Sequence, residues 1–218
     1  MPRRAVRRLK QTVDLNRHYY ELTKLTPPLD PRALFVESKL CPDAPLEIEI
    51  GSGKGLFLQS AARRSPERLF LGNELATKYA LHIGSRLAAQ QLNNAVMIHG
   101  DGLRMLHEFI PAGCAAAVHV YFPDPWWKAR HKKRRVLNEA MLADAVRVLQ
   151  PGGKLHFWTD VQEYYETTIA LIQKVSPLVG PTPVPEPEAE HDLDFRTHFE
   201  RRTRLNRDPV FRCEFHKI

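Results

Sequence analysis

Residues 122–135 read Phe-Pro-Asp-Pro-Trp-Trp-Lys-Ala-Arg-His-Lys-Lys-Arg-Arg and follow a short apolar run, Ala115 to Tyr121. This run has the β-branched and aromatic composition of a buried strand. The two prolines that come next end ladder pairing and hold Asp124 between them in a near-rigid turn. One strand end therefore leads into a fixed carboxylate, two tryptophans and a cationic run. This order favours the rim of an active site over a solvated charge run.

A second strand, Leu46 to Ile50, leads into the glycine turn Gly51-Ser52-Gly53-Lys54-Gly55, and residues 56–64 then show helical spacing. A strand, a glycine turn and a helix open many nucleotide-binding α/β units. The glycine spacing fits neither the dinucleotide fingerprint nor a P-loop. It resembles the first motif of S-adenosylmethionine methyltransferases, in which Glu49 would precede the turn. An ordinary turn after a strand is the alternative.

Two more strands end in acids, since Leu69 to Asn73 leads to Glu74 and Ala95 to His99 leads to Asp101. The carboxyl ends of neighbouring parallel strands share one crevice. Each acid alone is explained as a cap or turn former. Four acids in one crevice instead suit a ligand that is cationic and rich in hydrogen-bond donors. S-adenosylmethionine is such a ligand, with its sulfonium, ammonium, ribose hydroxyls and adenine amine.

The string Pro123-Asp124-Pro125-Trp126, followed by Lys128 and Arg130-His131, closely resembles the bacterial tRNA (guanine-N(7))-methyltransferase family. The resemblance runs from about Leu46 to Phe215. It implies an α/β fold of the Rossmann-like class I methyltransferase type, with a mostly parallel seven-stranded sheet and helices on both faces. It also implies methyl transfer from S-adenosylmethionine to ring nitrogen seven of a guanine in tRNA, most often in the variable loop.

Together with the four strand-end acids, which we call the acid row, the resemblance assigns three roles to the candidate residues. The predicted cofactor site contains Glu49, Gly51, Gly53, Glu74, Asp101 and Asp124, and Asp124 is also the predicted catalytic acid. The predicted substrate contacts are Lys128, Asp160, Thr197 and Glu200. The predicted contacts to RNA phosphates are Arg130, His131, Lys132, Lys133, Arg134 and Arg135. The chain departs from the family pattern at His198, where a lysine is usual, and at Asn206, where a glycine is expected.

Charge also points to a nucleic-acid partner, here tRNA. The 218 residues suit one large domain, and the net charge is +7. Three segments hold 16 of the 32 Lys and Arg residues: 1–10, 128–135 and 196–207. If the fold brings them together, they form one phosphate-binding surface. We expect a basic arm and linker over 1–40 and the methyltransferase domain over 41–218.

The rest of the sequence sets further expectations. The three cysteines are widely spaced, which favours a reducing compartment and no zinc site. No segment has the length of a membrane span and the basic start lacks an apolar core, so we expect a cytoplasmic monomer or homodimer without metal. Residues 138–149 and 161–174 are predicted helices, and 154–160 is a predicted strand. Residues 176–194 are a predicted surface loop, and 196–202 are expected to open the final pair of strands.

Two other functions remain open at this point. A non-enzymatic RNA-binding module would need only the basic segments, and the four strand-end acids would then have no role. A nicotinamide-dependent oxidoreductase could use a similar sheet, but the glycine spacing disfavours it.

Overall fold

The computed structural model describes residues 14–185, 188 and 195–218. A single sheet of eight strands runs through the described part of the chain. The strands are β1 Tyr19–Glu21, β2 Leu46–Ile50, β3 Leu69–Glu74, β4 Ala95–His99, β5 Ala115–Tyr121, β6 Leu149–Thr159, β7 Val179–Pro183 and β8 Phe211–His216. Their order across the sheet is β1-β4-β3-β2-β5-β6-β8-β7.

Helices connect most of the strands. The α-helices are α1 Leu56–Arg64, α2 Thr77–Ala89, α3 Gly102–Arg104, α4 Glu139–Val148, α5 Gln162–Val175 and α6 His198–Leu205. A π-helical turn, Met105–Phe109, continues α3. Short 3-10 turns cover Leu22–Lys24, Pro31–Leu34 and Ala129–Arg134. The predicted helices of the strand–helix repeat are therefore present, within two residues at each end.

The α/β class and the mostly parallel sheet are confirmed, but the strand count is wrong by one. The additional strand, β1, pairs in parallel with β4 at the sheet edge. Leu22 and Leu34, in the segment predicted as a linker, are 2% and 6% exposed and belong to the core. Residues 14–40 thus contribute to the folded unit, because apolar side chains before and after their prolines pack in the core. The basic residues of the predicted arm up to Lys10 lie outside the described residues.

Two hydrophobic cores lie on opposite faces of the sheet. Alternation along β2 and β5 sends Ile48 and Val118 to the larger core, which also holds Leu142 of α4. On the other face, Phe57 of α1 and Ile83 of α2 pack in a smaller core. This helix–sheet–helix arrangement buries both faces of the parallel strands and leaves their carboxyl ends at one edge.

Two predictions after residue 175 are wrong. The predicted surface loop contains β7, which pairs antiparallel with β8 alone, and its prolines are tolerated at this edge position. The segment expected to open the last strand pair instead forms α6. The Thr197 hydroxyl accepts a hydrogen bond from the Glu200 amide at 2.9 Å, which begins a helix there.

Candidate active site

The parallel strands bring the predicted acids to one edge of the sheet. β3, β2, β5 and β6 are neighbours with parallel pairing, and β4 pairs in parallel with β3. Their carboxyl ends carry Glu49, Glu74, Asp101, Asp124 and Asp160. Such an edge is where open α/β sheets bind their ligands.

Glu49 is the most deeply buried of these acids. Its residue is 3% exposed, and its Oε2 atom has no hydrogen-bond partner in the described structure. Burial raises the pKa of Glu49 to about 8, the negative charge of Glu74 adds to this rise, and the Ser52 hydroxyl opposes it. Glu47, by contrast, binds Arg68 at 2.7 Å and His119 at 2.8 Å within the protein. A buried carboxylate with an unused acceptor suits a cationic donor group.

The glycine turn leaves open space beside Glu49. Gly51 and Gly53 have φ of +79° and +57°, which favours glycine, and a Cβ on either would meet no atom within 4 Å. The amide of Gly53 donates to Oε2 of Glu74 at 2.7 Å, so the turn is fixed to the end of β3. Open backbone and an unused buried carboxylate oxygen together fit the amino-acid end of S-adenosylmethionine.

Glu74 and Asp101 organise the loops in which they lie. Oε1 of Glu74 accepts from the Ala76 amide at 2.8 Å. Oδ1 of Asp101 accepts from the Leu103 and Arg104 amides and begins α3. A carboxylate has about four acceptor positions, so each side chain keeps capacity for hydroxyl or amine donors of a ligand.

The Asp124 loop is held from both sides. Phe122 and Trp126 both have φ of +48°, a left-handed conformation that is uncommon for non-glycine residues and often found at functional sites. The Phe122 ring stacks on Phe199 of α6, with centroids 5.0 Å apart. Nε of Arg135 donates to the Pro125 carbonyl at 2.9 Å. Exposed Asp124 therefore lies on a loop that is held by Phe199 of α6 and by Arg135, the last residue of the basic run.

The basic run divides into outward and inward cations. Arg130, Lys132, Lys133 and Arg134 are exposed, and His131 is half-buried. Arg135 is 8% exposed and pairs with Glu163 at 2.6 Å. The structure thus removes Arg135 from the predicted phosphate contacts, because its guanidinium binds the Asp124 loop and Glu163.

The predicted substrate residues also divide. Lys128 is exposed and Asp160 is half-buried at the end of β6, where burial raises the pKa of Asp160. Glu200 is 0% exposed: Oε1 accepts from Arg212 at 3.1 Å and Oε2 from the Arg196 amide at 2.6 Å. Glu200 therefore acts within the chain, and the hydroxyl of half-buried Thr197 caps the start of α6.

A series of buried hydrogen bonds links the sheet to Arg196, which precedes α6, and the sequence patterns did not predict it. Glu47 Oε2 meets His119 Nε2 at 2.8 Å, and His119 Nδ1 meets the Tyr121 hydroxyl at 2.8 Å. That hydroxyl accepts from Nη1 of Arg196 at 3.1 Å. The available signal was the alternation of polar His119 and Tyr121 along one face of a buried strand.

Two classes of feature are absent from the described ranges. No three His, Cys, Asp or Glu side chains there are grouped as ligands for a metal ion. No helix there combines the length and apolar character needed to cross a bilayer.

Comparison with known proteins agrees with this geometry. A family model described as "Putative methyltransferase" matches residues 43–213. The tRNA (guanine-N(7)-)-methyltransferase of Rhodopirellula baltica is 44% identical, over 100% of this chain and 80% of its own length. The enzyme of the same name from Anaeromyxobacter dehalogenans is 37% identical, over 79% of this chain and 85% of its own length.

Solved structures support the fold alone. A 30S ribosomal A1408 methyltransferase from an uncultured bacterium superposes with a TM-score of 0.54 at 17% identity, covering 86% of this chain and 92% of that one. An antibiotic-related methyltransferase gives 0.57 at 15% identity, covering 79% and 87%. The family model covers most of the chain and both relatives carry the same name, and the chain belongs to the tRNA (guanine-N(7)-)-methyltransferase family.

Proposed function

We propose that this protein transfers a methyl group from S-adenosylmethionine to ring nitrogen seven of a guanine in the variable loop of tRNA. We further propose that it acts in the cytoplasm as a monomer or homodimer. The observation that carries the catalytic proposal is the convergence of Glu49, Glu74, Asp101 and Asp124 beside an open glycine turn. Family membership supplies the substrate class.

The acid row suits a cofactor with donors at several points. Glu49, with its unused Oε2, would accept from the ammonium group, and the backbone at Gly51 and Gly53 would approach the same end. Glu74 would accept from the ribose hydroxyls through the lone pairs that its backbone contacts leave over. Asp101 would accept from the adenine amine. When bound, S-adenosylmethionine supplies an electrophilic methyl group on a cationic sulfur.

The reaction requires little acid–base catalysis from the protein. Nitrogen seven of guanine presents an in-plane lone pair, so no proton must leave it before methylation. The rate would then depend on holding the base in line with the methyl group. Methylation also leaves positive charge on the imidazole ring of the base, and Asp124 at the end of β5 can stabilise it.

Substrate binding would use the outward side chains near Asp124. Lys128 and Asp160 are the proposed contacts to the target nucleotide, with the Asp160 carboxylate accepting from the guanine edge. Arg130, His131, Lys132, Lys133 and Arg134 are the proposed phosphate contacts. Thr197 and Glu200 would support the substrate side indirectly, because they hold the start of α6 and with it the Phe199 ring against Phe122.

The direct test uses S-adenosylmethionine labelled in the methyl group and unmodified tRNA, followed by nuclease mapping of the label. We expect label in 7-methylguanine from the variable loop. A tRNA with adenine at that position is the matched control and should take up no label. Label at another base would keep the reaction but overturn the proposed position. If neither transfer nor cofactor binding is seen, a non-enzymatic RNA-binding protein becomes the better account.

A further inference from the structure

Trp127 differs from the other tryptophans in its exposure. Its residue is 68% exposed, which makes it the bulkiest exposed hydrophobic side chain in the described part of the chain. Trp158 is 1% exposed within the smaller core. Trp126 is half-buried, with the Arg134 guanidinium 5.1 Å from its ring and the His131 ring at 5.9 Å. Adjacent tryptophans thus have different surroundings, one packed into the loop and one turned to solvent.

Contacts of Arg135 hold the backbone next to Trp127 in place. Arg135 holds the Pro125 carbonyl at 2.9 Å, and its guanidinium lies 4.4 Å from the Tyr164 ring centroid. Arg135 also pairs with Glu163 at 2.6 Å. An aromatic side chain on a fixed backbone has only two side-chain torsions to order on binding, so its conformational cost is small.

The surroundings of Trp127 identify the class of partner. Lys128, Arg130 and Lys133 are exposed, and none of them makes an ion pair with another described residue. An exposed aromatic ring among unpaired cations is the combination that binds single-stranded nucleic acid, by stacking on a base while the cations meet the phosphates. Protein interfaces are instead depleted in lysine.

We propose that the indole of Trp127 is a stacking platform for an unpaired base of the tRNA substrate. The ring lies three positions after Asp124 in the chain, so the stacked base would be the target guanine or one close to it in the loop. Stacking tolerates any base because each has a π-face. Trp127 would therefore add affinity and orient the loop without reading its sequence. This inference rests on the proposed tRNA substrate.

The test measures the affinity of unmodified tRNA for Trp127→Ala and Trp127→Phe. Loss of one base–aromatic stack should weaken binding about 5- to 100-fold in the alanine variant. The phenylalanine variant should stay within about threefold, because it keeps a ring that can stack. Val36→Ala is the matched control: Val36 is 70% exposed and lies outside the basic run, and its removal should change nothing.

Two further readouts separate stacking from charge and from folding. The slope of log affinity against log salt should be the same in Trp127→Ala and wild type, because no cation is removed. Tryptophan emission should be quenched by tRNA in the wild type and much less in Trp127→Phe. S-adenosylmethionine affinity and the melting temperature should be unchanged, since the ring is exposed.

Each outcome bears on one claim. If wild type binds and methylates tRNA but Trp127→Ala binds it as well as Val36→Ala does, the stacking inference is wrong and the proposed function stands. If Trp127→Ala changes the sedimentation of the protein and not its tRNA affinity, the ring belongs to a contact between copies. If wild type does not bind tRNA at all, the proposed function itself fails.

Discussion

At the ends of β2 and β3, Oε2 of Glu49 has no hydrogen-bond partner in the described structure, and Glu74 is half-buried and accepts from two loop amides. Glu200 of α6 is instead fully buried, with its oxygens bound to Arg212 and to the Arg196 amide. The first two lie beside a glycine turn with open space around it. Glu200 lies among Arg204, Arg212 and the Arg196 amide and is 0% exposed. Acids of similar sequence appearance thus differ in their surroundings: Glu49 and Glu74 border open space at the sheet edge, and Glu200 holds α6 in place.

The largest effect should come from Asp124. Asp124→Asn removes the charge proposed to stabilise the methylated base, so methyl transfer should fall about 100-fold or more. Affinity for tRNA should stay within about threefold, because no cation is lost. Single-turnover transfer and filter binding measure the two quantities. Retention of wild-type turnover would show that Asp124 lies outside the reacting centre.

Glu200→Ala tests whether Glu200 acts inside the protein by holding α6 in place. It removes the carboxylate that lies 3.1 Å from the buried guanidinium of Arg212, whose side chain is 5% exposed. Breaking a buried pair in this way costs about 3–5 kcal/mol. Urea unfolding should show that loss, and Thr197→Ala, which removes only a helix cap, should lose about 1 kcal/mol. A Glu200→Ala protein as stable as wild type that no longer binds tRNA would reverse the assignment.

Glu49 should make the stability of the ligand-free protein depend on pH. Its pKa is 4.5 for an ordinary carboxyl and about 8 in the folded protein. The folded state therefore holds the Glu49 proton more tightly than the unfolded state does. The contribution of Glu49 to the free energy of unfolding is full below pH 4.5 and is lost as pH rises to about 8. We expect the free energy of unfolding to fall by an amount on the order of 2–4 kcal/mol across this range. Glu49→Gln should flatten the fall, and an unchanged profile would contradict the burial of a protonated Glu49.

The smallest expected effect comes from a comparison of an exposed cation of the basic run with the buried Arg135. Lys133→Ala should weaken tRNA binding a few-fold and reduce the salt slope by about one. Arg135→Met should leave the salt slope unchanged and lower stability instead, because Arg135 binds Glu163 and the Pro125 carbonyl. Equal salt slopes in the two variants would mean that the division of the run is wrong.

The meeting of the strand-end acids at one edge was predictable, because the carboxyl ends of parallel strands always lie at the same edge of a sheet. Apolar residues mark both strands, a glycine turn ends β2 and two prolines end β5, and an acid at such a point must lie at the shared edge. The Pro-Asp-Pro string also fixes its own backbone. The position of Glu49 and Asp124 at one sheet edge was therefore predictable without knowledge of any tertiary contact, and their roles there stay predictions.

The contacts around α6 were not predictable from strand direction and turn residues. Thr197 and Glu200 match the family pattern, but their partners, Arg196 and Arg212, follow only from the fold. Arg135 looks like its exposed neighbours until Glu163 of α5 is placed beside it. The strand β7 was missed because prolines argue against ladder pairing, and only its edge position makes them acceptable.

Calorimetric titration of S-adenosylmethionine tests most directly the claim that the strand-end acids form the cofactor site and the α6 acid does not. It compares wild type, Glu74→Gln and Glu200→Gln. We expect Glu74→Gln to bind at least about tenfold more weakly, because charged acceptors hold donors better than neutral ones. Glu200→Gln should bind the cofactor as wild type does while it is folded. Wild-type affinity in Glu74→Gln, with loss of binding in a folded Glu200→Gln, would place the cofactor site at α6 and not at the strand ends.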